Sequence, residues 1–302
     1  MTPPVAVVTG AAGGLGRVLV ERLERAGWSV VGVDLHGTDR LLDVTDPAAC
    51  RALADDLRPR LWVNNAGVLG AGDAATQPDE LVERVVRVNL LGVIHGTRAA
   101  VASMRDHGGG HVVTIASLAA WVPVPGEAVY AATKAGVLSF TLGLQAELTA
   151  AEVRDVRLTA ICPDGMLTPM LTDVLDDDAL ALSFSAPRLV DPVEVADRVV
   201  AVLARPRLVS SVPRWRGAQV RLMSGVPDLV LRAAPIFTRT GLRHLAKVRA
   251  QASARSGDEA SAAGASGARA SDARSSGAAA GAGSVAPGGA LTGSTASDVP
   301  SA

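Results

Sequence analysis

Thr9-Gly10-Ala11-Ala12-Gly13-Gly14-Leu15-Gly16 follows a run of small and β-branched apolar residues, Val5 to Val8. It opens a stretch in which Leu15, Val18, Leu19, Leu23 and Ala26 recur at helical spacing. The order predicted is strand, glycine-rich turn, helix, with Gly27 as the helix stop. Glycines permit a tight bend and a close backbone approach to a pyrophosphate, which the free amides of the helix N-terminus then hold. Gly10, Gly14, Leu15 and Gly16 are the residues this reading places at the phosphates. Glycine-rich turns between strand and helix are common, so the cluster alone leaves a purely structural role open.

Outward from the turn the alternation continues. Strand patterns span 29–33, 61–63, 111–115, 156–161 and 208–212. Helical patterns span 47–57 behind Asp46, 79–105, 128–148 and 192–203 behind Asp191. This predicts an α/β fold over residues 1–212: a doubly wound parallel sheet between two helix layers. Residues 213–250 read as a basic amphipathic helical extension, divided into short helices by Pro227 and Pro235. Residues 251–302 are dominated by Ala, Gly and Ser and hold a single leucine, Leu291. They are expected to be disordered, because they have too little apolar surface to offset ordering.

The bulk composition narrows the function class. The 302-residue chain has two cysteines, Cys50 and Cys162, far apart and without metal-ligand spacing. A disulfide framework is excluded and a reducing compartment fits. The first residues carry no basic n-region, so no signal peptide is expected and the cytoplasm is the expected location. A net charge of −1 gives no reason to expect nucleic acid. The charge is uneven, however: from Arg205 to Arg249 there are ten Arg or Lys against one acid, Asp228. A peripheral membrane contact through 217–250 is one reading of that segment; helices packed on the body or on a partner subunit is the other.

Asp34 strengthens the nucleotide reading. It ends the second strand pattern, eighteen positions after Gly16, where a carboxylate can accept both hydroxyls of an adenosine ribose and repel an extra phosphate. Arg17 and Arg40 are the cations near enough in sequence to serve such a phosphate, but Asp34 favours NAD over NADP. Tyr130 and Lys134 stand at i and i+4, on one face of a helix. Bringing a phenol from a pKa near 10 to roughly 7 takes about 4 kcal/mol of preferential phenolate stabilisation. A cation about 4 Å away in a partly screened site supplies roughly that. A Tyr so tuned exchanges a proton with an alcohol or a forming alkoxide. Tyr130 is the one tyrosine in the chain, which weighs against an incidental surface pair.

The glycine-rich turn, Asp34, Asn64-Asn65-Ala66-Gly67, Asn89, Ser117 and Tyr130-Ala131-Ala132-Thr133-Lys134 together resemble the short-chain dehydrogenase/reductase family, over roughly residues 4–212. The resemblance implies a single Rossmann-like domain. Ser117 would hydrogen-bond the substrate oxygen and Tyr130 would be the acid/base. Lys134 would hold the nicotinamide ribose and lower the Tyr pKa, while Asn89 would hold a proton-relay water. Asn65, Ala66 and Gly67 would touch the cofactor, Asp43 and Val44 its adenine, and Pro163 and Thr168 its nicotinamide end. A homodimer or homotetramer through the helices bearing Asn89 and Tyr130 is also implied. Two departures stand out. Asp164 occupies a position where the family has Gly, and is expected either to tune the nicotinamide or, as preferred here, to point to solvent. Arg214-Trp215-Arg216 and a basic segment replace the family's usual C-terminal end.

The substrate walls are expected from Trp121, Val122, Val124, Met166, Leu167, Met170, Leu171, Leu175 and Phe184, which suits an apolar alcohol or ketone. The same side chains would equally serve to pack a lid. Asp176, Asp177 and Asp178 are expected to form a solvated lid edge. The leading function is an NAD-dependent oxidoreductase acting on CH–OH donors. A nucleotide-binding sensor or scaffold without turnover is the alternative, and a lyase or epimerase fits the turn spacing less well.

Overall fold

The computed structural model describes residues 2–166, 168–172 and 175–250; Leu167 and the expected tail at 251–302 lie outside them. Up to Ala250 the chain forms one compact unit. Seven parallel strands make one sheet: β1 (Val5–Thr9), β2 (Ser29–Asp34), β3 (Arg40–Leu41), β4 (Leu61–Asn64), β5 (Gly110–Ile115), β6 (Val156–Pro163) and β7 (Val209–Val212). Their order is β3-β2-β1-β4-β5-β6-β7. The two-residue β3, paired with the end of β2, is too short to leave a periodic pattern in the sequence.

The central strands β1 and β4 are mostly apolar because both faces are covered. Ala6, Val8, Leu61, Val63, Val113 and Ile115 pack with Leu15, Leu19 and Leu23 of α1 (Gly14–Arg25) and with Val195 and Val199 of α7 (Pro192–Ala204). The intervening residues Val7, Trp62 and Val112 face the other layer. There they meet Cys50 and Ala54 of α2 (Pro47–Leu57), Ala100 and Met104 of α4 (Val93–Asp106), and Leu148 of α5 (Ala128–Ala150). Alternate side chains therefore enter opposite cores.

The helix predicted at 79–105 is present but not uniform. It runs as α3 (Asp79–Val86), a π-helical turn (Arg87–Gly92) and α4. Beyond β6 come the short α6 (Pro169–Thr172) and a 3₁₀ segment (Asp178–Phe184), and beyond β7 comes α8 (Arg214–Ser224). A further helix, α9, covers 227–250. Pro227 begins it, but Pro235 does not divide it. The carbonyl deprived of a donor belongs to exposed Leu231, where water can serve, so the cost that normally breaks a helix is reduced.

Because the chain returns from β3 to β4 across β1, the connections on either side of β1 diverge. A crevice must form at the C-terminal ends of the strands there.

Candidate active site

A cleft of about 700 Å³ lies at that switch point. It is lined by Gly10, Gly14, Leu15, Gly16, Asp34, Asp43, Val44, Asn65, Ala66, Gly67, Ser117, Tyr130, Lys134, Pro163 and Thr168. Of the catalytic and cofactor-binding residues singled out from sequence only Asn89 is missing from the wall; it is wholly buried beside it.

The turn is glycine for a steric reason. A Cβ on Gly16 would lie 2.0 Å from the carbonyl oxygen of Gly10, and Gly10 itself has φ +66° with Ala66 Cα 2.8 Å from where a Cβ would be. The N-terminus of α1 has no side-chain cap, whereas Asp46 caps α2 and Asp191 caps α7. Amides there remain available to an anion. Asp34 accepts from the backbone amides of Ala12 at 3.0 Å and Leu35 at 2.8 Å. It therefore fixes the turn as well as presenting a carboxylate to the cleft. Arg40 is committed to Asp56 at 2.7 Å, and Arg17 donates to the Ala12 carbonyl at 2.8 Å.

The segment 64–67 ties three strands together. Asn64 bonds Trp62, Thr97 and Thr114, and Asn65 donates to the carbonyls of Thr9 at 2.9 Å and Gly10 at 3.1 Å. Asn89, in the π turn, accepts from the Val68 amide and donates to the Val68 carbonyl, both at 2.8 Å. This holds the 66–68 backbone against the helix; π turns recur at functional sites.

Lys134 projects from α5 beneath Tyr130, its Nζ 5.5 Å from the ring centroid and donating to the Ile115 carbonyl at 3.0 Å. Burial pushes the ammonium down to about 8. Burial also pushes the Tyr130 phenol well above its ordinary value, with Glu127 adding to the rise and a hydrogen bond from Ser117 opposing it. That is the reverse of the shift expected from the Tyr–Lys pair: desolvation outweighs a cation that is engaged with a carbonyl.

Three polar groups in the cleft wall, Glu127, Asp164 and Arg216, have partners that the sequence does not reveal. Glu127 is 3% exposed, one helical turn before Tyr130, and its carboxyl accepts from the Ser183 hydroxyl. Asp164 does not point to solvent. It pairs with Arg216 of α8 at 3.1 Å, both side chains being about 15% exposed, and Arg216 also donates to Ser185 at 3.3 Å. The departure from Gly at 164 and the changed C-terminal segment are thus one feature. No sequence signal links positions fifty residues apart, although a lone Asp where Gly is usual and a new Arg were both visible.

The expected apolar wall is only partly formed. Val122, Val124, Met166, Met170 and Leu171 line the cleft. Leu175 and Phe184 instead pack against Leu180 and Leu245 in the lid, the segment between β6 and α7 that carries α6 and the 3₁₀ turn, and Trp121 lies outside the cleft under Arg221, 4.9 Å away. The three aspartates are exposed but not idle: Asp177 caps the 3₁₀ segment and Asp178 pairs with Arg249 at 2.9 Å. Among the described residues no cluster could hold a metal ion, and no helix is long and apolar enough to cross a membrane.

A family model described as short chain dehydrogenase matches residues 40–179. The 1-deoxy-11-beta-hydroxypentalenate dehydrogenase of Streptomyces avermitilis is 36% identical over 195 residues, covering 56% of this chain and 71% of that protein. The probable oxidoreductase EphD of Mycobacterium tuberculosis is 35% identical over 179 residues, 52% of this chain, and the match spans only 30% of that longer relative. A short-chain dehydrogenase/reductase from Burkholderia phymatum, solved with NAD, is similar at TM-score 0.66 and 25% identity, over 75% of this chain and 95% of that one. One from Burkholderia cenocepacia, solved with NADP, gives TM-score 0.64 and 26% identity, over 76% and 96%.

Proposed function

The chain belongs to the short-chain dehydrogenase/reductase family, and on that premise we propose that it interconverts a secondary alcohol and a ketone with NAD, using Tyr130 as acid/base. The observation that carries the proposal is the single cleft that holds Ser117, Tyr130 and Lys134 together with the uncapped N-terminus of α1 and Asp34.

The residues present fit a dinucleotide. The turn folds on itself so tightly that no Cβ is tolerated at Gly16, which leaves its backbone open to a ligand; the α1 amides suit a pyrophosphate, and Asp34 suits an unphosphorylated ribose. With Arg40 spent on Asp56, the larger charge of NADP has the weaker reception. Asp43 and Val44 would flank the adenine, and Asn65, Ala66, Gly67, Pro163 and Thr168 the nicotinamide half. The bound nicotinamide supplies or accepts the hydride.

The chain's own residues handle the proton. Ser117 orients the substrate oxygen by a hydrogen bond. Tyr130, whose phenol burial holds in its protonated form, gives its proton to a carbonyl oxygen in reduction and takes it back in oxidation. Lys134 would hold the nicotinamide ribose. Asn89 positions the 66–68 backbone beside it. The apolar side chains Val122, Val124, Met166 and Leu171 favour an apolar substrate. Assembly as a homodimer or homotetramer and a cytoplasmic location belong to the same proposal.

The test is a panel of secondary alcohols and ketones with NAD(H) and NADP(H), followed by nicotinamide absorbance. Wild type turns over and Tyr130→Phe loses about 10³-fold in kcat. The proposal fails if the two proteins behave alike, and a protein that binds nucleotide without turnover is then a sensor or scaffold.

A further inference from the structure

We propose that α8 and the first half of α9 dock on an anionic membrane surface, placing their exposed apolar side chains among the lipid headgroups. Eleven large apolar side chains stand well exposed among the described residues, and six of them fall within 215–236. They are Leu222 at 81%, Ile236 at 66%, Leu229 at 63%, Trp215 at 57%, Leu231 at 53% and Val226 at 48%. A monomer rarely exposes apolar surface in such concentration without a use for it.

The distribution selects the occupant. Leu229 and Ile236 are seven residues apart on α9 and share a side, whereas Leu231 lies two residues on, on the far side. A flat protein partner covers one side of a helix. A fluid bilayer interface can receive side chains on both sides of it. The charge agrees: from Arg214 to Arg249 there are eight Arg or Lys against Asp228. Arg216 and Arg249 are paired, and Arg221 lies over Trp121. Arg214, Arg232, Arg239, Arg243 and Lys247 form no ion pair among the described residues. A second copy meeting this face through a two-fold axis would oppose like charges, which argues against self-association. Anionic headgroups reward each nearby arginine by roughly fivefold in partitioning. Trp215 beside the arginines adds a ring of the kind that sits at the headgroup level.

The docking element is fastened to the cleft lid. Leu245 is wholly buried against Leu171, Leu175, Leu180 and Phe184. Nδ1 of His244 hydrogen-bonds the Phe184 carbonyl at 3.0 Å, and Arg249 holds Asp178. A Cβ on Gly241 would lie 1.7 Å from the Ala181 carbonyl oxygen, so helix and lid backbone are in direct contact. Docking through α9 therefore places at the membrane the helix that packs on the lid, which suits a reaction on an apolar substrate dissolved in lipid. The last point rests on the proposed reaction; the docking does not, and its test reads binding alone.

The experiment is flotation of the full chain with phosphatidylcholine vesicles, with and without phosphatidylglycerol, at low and high salt. The chain is expected to float with the anionic vesicles only, and less at high salt. Leu222→Glu/Ile236→Glu and Arg232→Glu/Arg239→Glu should each lower the bound fraction at least about tenfold. All four positions face solvent, and unchanged melting temperatures will show that the variants are folded. The proposal is overturned if the wild type stays unbound at low salt, or if both variants float as it does. It is also overturned if sedimentation shows a wild-type oligomer that Leu222→Glu/Ile236→Glu dissociates, which would make this face a subunit contact.

Discussion

Around Asp34 the cleft is made by residues near one another in the chain: a strand, a turn, a helix and the next strand, all within 5–34. Around Asp164 it is made by residues brought from β6, α5, the 3₁₀ segment and α8, with Glu127 bonded to Ser183 and Asp164 to Arg216. At the first end backbone does the work and side chains are mostly excluded. At the second, charged side chains are taken out of water and held by one or two partners. The first arrangement suits a ligand that is the same for every turnover. The second, expensive to build and specific in its contacts, suits discrimination between substrates.

The comparison breaks first at the glycines. Gly16→Ala places a Cβ against a backbone oxygen that has no room to move, and should cost about 3 kcal/mol in urea unfolding together with nucleotide binding. Gly143→Ala, inside α5 with nothing within 4 Å of the new Cβ, should instead gain about 1 kcal/mol. Equal effects would mean that the turn is not sterically fixed.

Next in size is the carboxylate at the Asp34 end. Asp34→Ala should raise the KM for NAD about 30-fold and narrow its advantage over NADP, at roughly 2 kcal/mol for charge-assisted hydrogen bonds. An unchanged preference in steady-state kinetics would assign Asp34 only to fixing the turn through Ala12.

At the other end the matching test is a double-mutant cycle. Arg216→Met alone leaves Asp164 part-buried without its cation and should cost about 2 kcal/mol; Asp164→Asn/Arg216→Met should recover about 1 kcal/mol of it. Additive denaturation energies would show the pair to be incidental.

The smallest effect is that of Glu127. Burial raises its carboxyl above the ordinary 4.5. Between that value and the raised one the folded state keeps a proton that the unfolded state has released, so stability falls as pH rises. Glu127→Gln should flatten this fall and raise the melting temperature at neutral pH, measured across acid to neutral buffers. A variant with the wild-type profile would show that the carboxyl is not held protonated.

The two ends also differ in how far the sequence exposed them. Strand, turn and helix at 5–26, the capped starts at Asp46 and Asp191 and the Tyr130–Lys134 spacing are local patterns, and each reappears in the structure within a residue or two. The substrate side was read from apolar composition, which cannot distinguish a side chain facing a cleft from one facing a lid's own core. Leu175 and Phe184 went to the lid's own core and Trp121 to a part-buried place under Arg221 for that reason. Asp164 looked solvent-bound because its partner lies fifty-two residues away. Pro235 looked like a helix break because propensity takes no account of an exposed carbonyl that water can satisfy.

By itself, then, the sequence determined the order of elements, the family, the glycine turn and the Tyr130–Lys134 pair, because these depend on periodicity and on spacings within a turn or two. Tertiary structure alone decided that Glu127 faces Ser183, that Asp164 takes Arg216 and that α9 grips the lid while its other end stands clear in solvent. Those outcomes depend on which distant surfaces meet once the sheet has closed its two cores, and a buried charge must find its partner wherever that packing has placed one.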